Sequence, residues 1–237
     1  MGKHILTQRR GRGTPQFRSR KTAKVSSTRY PITDPSKTVE YTVRNIIHES
    51  GRLAPLMVVY GQGHTYYLPA VKGLEEGRKI SIGPGAPVKD GNIIPVGNLP
   101  EGSLVYNIEK VLNDGGKFVK SAGGYAIIMG HEAGWTSIKM PSGKKITFPS
   151  SVRATVGIVA GGGVNEKPIL KATLHKMTMR ARGRKYPTVR GIAMSAVYHP
   201  HGGGRHQHPG KSTTVSRLTP PGRKVGNIAA RKTGRGK

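Results

Sequence analysis

Four histidines, His199, His201, His206 and His208, fall within ten residues of a 237-residue chain. Gly202-Gly203-Gly204 separates the two pairs, and Arg190, Arg205 and Lys211 flank them. An imidazole can ligate zinc, carry a proton in catalysis, or donate, accept and stack at a polar partner. Zinc sites commonly add thiolates or carboxylates. This chain has no cysteine, this segment has no acid, and the neighbouring cations would repel a dication. A catalytic imidazole of the triad kind needs a carboxylate to orient it, and none is near in sequence. Contact with a polyanion suits the residue types best. Glycine lets backbone N–H groups approach phosphate, and Arg and Lys supply the charge. His199 stands as the lesser, proton-transferring alternative, and no catalytic residue is assigned. No metal site or cofactor is expected beyond Mg2+ carried by an RNA.

The elements around this segment divide by charge. Lys and Arg number 40 against 11 Asp and Glu, a formal net charge of +29. Self-repulsion of that size calls for a polyanion, and nucleic acid is the natural one. An anionic membrane surface is the rival, but no basic amphipathic helix with large apolar anchors is visible. Residues 1–30 carry nine basic residues and no acid, and residues 167–237 carry seventeen and no acid. All eleven acids lie between Asp34 and Glu166, among fourteen basic residues. Two cationic arms therefore flank a body of ordinary charge. No run reaches the ~20 apolar residues of a membrane helix and the start lacks a signal core, so a soluble, cytoplasmic chain is expected.

The body reads as strands. Val39–Arg44 alternates strictly, and Leu56–Tyr60, Thr65–Leu68, Lys79–Ile82, Asn92–Val96 and Leu104–Val111 follow between Gly and Pro turns. A second set comprises Tyr125–Met129, Trp135–Met140, Lys145–Phe148 and Arg153–Val159, with Pro141–Lys144 as a hairpin turn. Short strands at this spacing predict a mostly β chain of two small barrels rather than one sandwich. The first would be OB-like over residues 37–114, the second of SH3-like size over 115–179. Trp135 is expected in the second barrel's core, with base stacking as the lesser reading. One short helix is expected from an Asn165 cap through Met177, with Pro168 in its first turn, packed on the second barrel. The arms, 1–36 and 180–237, are expected to be extended and unfolded without a partner. Gly161-Gly-Gly163 lacks the rest of a phosphate loop and reads as a flexible or close-packed turn.

Val189-Arg190-Gly191-Ile-Ala-Met194 and His199-Pro200-His201-Gly202-Gly203-Gly204 make the pattern specific. They resemble the universal family of the second protein of the large ribosomal subunit, in its archaeal and eukaryotic-like form. Gly115–Gly124, Pro141-Ser-Gly-Lys144 and Arg153-Ala-Thr-Val-Gly157 resemble the same family, so the likeness covers nearly the whole chain. It implies an OB-fold followed by an SH3-like barrel, and binding to large-subunit ribosomal RNA. It also implies a C-terminal extension directed towards the peptidyl transferase centre, contact with neighbouring ribosomal proteins, and a part in joining the small subunit. His199 takes the place of the family histidine discussed in peptidyl transfer. The bacterial pattern has an acid before it, where this chain has Tyr198, and Arg205-His206-Gln-His208 follows the glycines. The missing acid weakens any charge relay, so a scaffold and not an enzyme is expected. Its RNA contacts are expected at Arg9, Arg10, Arg12, Arg18, Arg20, Arg180, Arg182, Arg184, Lys185, Arg190, His199, His201, Arg205, His206, His208, Lys211, Arg217, Arg223 and Lys224.

Overall fold

The computed structural model describes residues 2–231. Gly234, Gly236, Lys232, Arg235 and Lys237, read as part of the basic C-terminal arm, lie outside the described residues. Two compact units divide the chain. One runs from Lys21 to Pro168, and the other joins the two chain ends, up to Arg20 and from Ile169 on.

The Lys21–Pro168 unit is built on strands β1 (Val39–Ile47), β2 (Leu56–Gly61), β3 (His64–Pro69), β4 (Lys79–Ile82), β5 (Ile93–Pro95), β6 (Leu104–Tyr106), β7 (Ala126–Glu132), β8 (Trp135–Lys139), β9 (Lys145–Pro149) and β10 (Arg153–Val156). They pair in the order β3-β2-β1-β4-β5-β10-β6-β7-β8-β9, an open order that ends in β3 and β9. Most neighbours are antiparallel, and only β4 and β5 run parallel, through Ile82 and Ile93. The period-two pattern decides the inward residues: Tyr41 and Val43 of β1 are buried while Glu40, Thr42 and Arg44 face solvent. A bulge between Val43 and Asn45 ends that alternation, leaving Arg44 and Asn45 both exposed.

Two large apolar cores result. Tyr41, Val43, Met57, Val59, Leu68, Ile80, Ile82 and Ile93 belong to one. Ile94, Val96, Leu99, Val105, Ile108, Ile128, Ile138, Phe148 and Ala154 belong to the other. Adjacent residues of β5, Ile93 and Ile94, thus point into different cores, as pleating requires. A buried ion pair crosses 44 residues of sequence: Arg153 Nη2 donates to Glu109 Oε1 at 2.7 Å, and its Nε donates to Oε2 at 3.1 Å. Arg153 Nη1 also donates to the Pro31 carbonyl and Thr33 Oγ1, which fastens residues 31–33 to β10. Tyr30 is buried beside them and its hydroxyl hydrogen-bonds Thr155 Oγ1.

Three expectations need correction here. Trp135 is not a core residue. It is 53% exposed, because alternation along β8 turns Thr136 and Ile138 inward instead. The main helix, α2 (Ala172–Ala181), begins after an extended Lys171 and not at Asn165. Residues around Asn165 turn, with Glu166 N–H donating to the Gly163 carbonyl, and the residue before Pro168 is biased away from helix. None of its residues is buried, and Leu174 and Met177 are 57% and 64% exposed.

The third correction concerns the arms, which are turned and packed instead of extended. The N-terminal segment forms a one-and-a-half-turn helix, α1 (Leu6–Gly11), whose start is satisfied by the Gln8 side chain accepting the Ile5 N–H at 2.9 Å. Ile5 and Val225 are the buried apolar residues of the chain-end unit among those described. Two short parallel strands, β11 (Thr214–Val215) and β12 (Asn227–Ile228), join its C-terminal part. Of the two readings of the Gly161 turn, close packing is the one that holds at Gly162: a Cβ on Gly123 would stand 2.8 Å from the Gly162 Cα.

Candidate nucleic-acid interface

The histidine segment is a closed loop. Gly203 N–H donates to the Met194 carbonyl at 2.9 Å, Gly202 N–H to the His199 carbonyl at 2.9 Å, and Tyr198 N–H to the Ser195 carbonyl at 3.0 Å. Gly202 sits so close to residues 194–195 that a Cβ would stand 2.5 Å from the Ser195 carbonyl oxygen. The turn Gly191–Ala193 brings Gly191 beneath the His199 imidazole, where a Cβ would fall 2.6 Å from Nε2. The two most distinctive motifs of the sequence are therefore one packed object.

His199 Nδ1 accepts the His201 N–H at 3.0 Å, and the two rings meet edge to face at 5.2 Å. That bond uses the Nδ1 lone pair, so it holds the ring neutral with its proton on Nε2. Burial, and then the nearby His201, lower its pKa below the ordinary histidine value. No carboxylate takes part. Three chain segments surround a cavity of about 370 Å³ beside it, bringing Lys3, His4, His199 and Arg223 together. Lys3 N–H donates to the Val197 carbonyl at 2.8 Å, which docks the N-terminal segment on the loop.

The other expected residues separate into groups. Arg9 and Arg10 lie in the last turn of α1, where cations suit the helix dipole, and Arg12 follows, donating to His4 Nε2 at 3.0 Å. Arg18, Arg20, Arg180, Arg184 and Lys185 line a second cavity of about 330 Å³. Arg182 caps α2 outside that lining. Arg190 donates to Gln207 Oε1 at 3.1 Å. Arg205, His206, His208, Lys211 and Arg217 are exposed, and Lys224 is half-buried. The four histidines do not assemble: among the described residues no three His, Asp or Glu side chains gather as a metal site would need. None of the ion pairs among the described residues involves a cation of this unit.

One group escaped the sequence reading. Lys120 Nζ donates to the carbonyls of Thr28 and Gly116 at 3.1 and 2.8 Å. Its pKa is lowered to about 8 by burial first, then by Arg52, Lys117 and Arg29 nearby. Apart from Arg29, these cations come from scattered positions in the stretch whose charge is nearly balanced, so no run betrays them. Gly115 and Gly116, both at positive φ, permit the close approach, and a Cβ on Gly115 would stand 2.9 Å from Arg29 Cβ.

No helix of the described residues is long and apolar enough to cross a membrane. Among known proteins, the model of the family described as "Ribosomal Proteins L2, C-terminal domain" matches residues 89–230. The chain is 51% identical to the large ribosomal subunit protein uL2 of Desulfurococcus amylolyticus, with both chains covered in full. It is 50% identical to the uL2 of Hyperthermus butylicus, again with full coverage of both. To the uL2 of Cenarchaeum symbiosum it is 49% identical, over all of this chain and 98% of that one.

Proposed function

The chain belongs to the ribosomal protein L2 family, and from that premise we propose that it is a structural constituent of the large ribosomal subunit that binds ribosomal RNA. The observation that carries the reading is the unit built from the chain ends, whose many cations have no carboxylate partner among the described residues. Assembling so many like charges is unfavourable until a polyanion neutralises them. Turned, glycine-rich backbone suits a partner recognised by shape and phosphate position.

In this reading the residues named from the sequence, from Arg9 to Lys224, contact RNA, and Arg29, Lys117 and Lys120 join them, while Arg52 is held by the buried Glu49 at 2.7 Å. The body acts as a scaffold, and the family likeness favours an OB-like barrel followed by an SH3-like barrel for its two cores, the second of which reaches back to Ile94, Val96, Leu99, Val105 and Ile108. The RNA-penetrating ends are the segments up to Arg20 and from Ile169 on, shorter at the front and longer at the back than composition suggested, because residues 30–33 are fastened to β10. The family likeness favours a place near the peptidyl transferase centre for the His199 loop, neighbouring ribosomal proteins as further partners, and a small-subunit contact. The cytoplasmic ribosome is the proposed location, with Mg2+ supplied by the RNA and no cofactor of the protein's own. His199 acts as an RNA contact and not a catalyst, since with Nδ1 accepting the His201 N–H the ring keeps no free lone pair to serve as a base, and no carboxylate among the described residues orients it.

Co-sedimentation in a cell lysate tests this. The chain should travel with the large subunit at moderate salt and persist through a high-salt wash. A largely free or salt-stripped chain would favour a transient factor or RNA chaperone.

A further inference from the structure

Resting on the RNA-binding reading, we propose that the two ends of the chain build a single composite site for a sharp reversal of RNA backbone, where several phosphates converge. The cavity of about 330 Å³ takes Arg18 and Arg20 from the N-terminal segment, and Lys176, Arg180, Arg184 and Lys185 from α2 and the residues after it. Neither segment makes the cavity alone. Their seam is at Gly183, which has φ +69 and lies so close to the N-terminal segment that a Cβ would stand 2.6 Å from the Ser19 nitrogen. Tyr186, also lining the cavity, is held by a parallel stack on His175, with ring centroids 4.4 Å apart.

Charge decides what the site takes. A diester phosphate carries one negative charge, and six cations surround this cavity with no acid in either segment. A single phosphate on a regular helix would leave most of that charge unneutralised. A backbone reversal brings several phosphates into one small volume, and there fixed guanidinium groups do the work otherwise left to bound cations. Independent basic tails would not need the Gly183 seam. A composite site does.

The test is a double-mutant cycle on the full chain, reading affinity for large-subunit ribosomal RNA at fixed moderate salt. Arg18→Gln and Arg184→Gln should each weaken binding about tenfold, the loss of one charge-assisted contact. If both serve one phosphate cluster, the double variant should fall well short of the product of the two losses. Losses that multiply in full would overturn the composite site and leave two independent arms. A second variant, Gly183→Ala, keeps every cation yet should weaken binding and lower its salt dependence. Gly11→Ala, whose Cβ meets nothing within 4 Å, is its control. Wild-type affinity and salt dependence in Gly183→Ala would also overturn the inference, while RNA binding itself stood. A wild-type chain that bound no ribosomal RNA would instead bring down the broader reading and the site with it.

Discussion

Gly191 lies directly beneath the imidazole of His199, leaving no room for a Cβ between them. Its backbone is not left-handed, so the constraint is one of space, not of φ. Gly191→Ala should displace the ring and open the loop, at a cost of about 1–3 kcal/mol typical of overpacking. Amide exchange at Gly203, whose N–H is held by the Met194 carbonyl, reads this directly. Unchanged protection would mean the ring is not held as described.

The same loop should respond to acid. The folded-state pKa of His199 lies below its ordinary value of 6.5, through burial and His201. Between the two values the unfolded chain binds more protons than the folded one. The stability that neutral His199 contributes is therefore full above pH 6.5 and is lost as pH falls through the folded pKa. An NMR titration should place its midpoint below 6.5, with Gly203 protection declining in step. A midpoint above 6.5 would contradict this.

Glu109 and Arg153 should be indispensable to the body. The Glu109 carboxylate is fully buried and also accepts the N–H groups of Gly115 and Arg153. Removing it strands a buried guanidinium, so Glu109→Ala should cost about 3–5 kcal/mol in denaturant unfolding. Arg153→Lys should fall in the same direction, because an ammonium cannot span Glu109, Pro31 and Thr33 at once. A loss below about 1 kcal/mol, the scale of an exposed pair, would show the pair to be dispensable.

Lys120 should titrate well below the ordinary lysine value of 10.5. With 13C-methylated lysines, one resonance should move near pH 8. The folded chain holds fewer protons than the unfolded one between about 8 and 10.5, so this residue's contribution to stability is present above 10.5 and lost as pH falls through about 8. Lys120→Met should abolish that resonance and weaken RNA binding. A Lys120 resonance that moved only above pH 10 would contradict the buried placement.

Much of this was legible in the chain, for local reasons. Tyr41 and Val43 alternate with polar residues, so β1 declared its inward face. The acid-free ends declared a polyanion partner. What stayed hidden depends on distant residues meeting. The Gly183–Ser19 seam, the Glu109–Arg153 pair and the grouping of Arg29 and Arg52 with Lys120 leave no periodic trace. Trp135 misled because its size suggests a core, whereas the parity of β8 decides its face. The helix start misled because a suitable cap at Asn165 was overridden by the turn from Gly163 and by Pro168. The arms misled because composition predicts disorder, while glycine turns and the burial of Ile5 and Val225 fold them.

The most direct test of the central claim is the affinity of the purified full chain for large-subunit ribosomal RNA as a function of salt. If about ten cations neutralise phosphates, the log–log slope should be roughly −7 to −9. A slope near zero would mean that the unpaired cations of the chain ends do not hold RNA, and the account would fail.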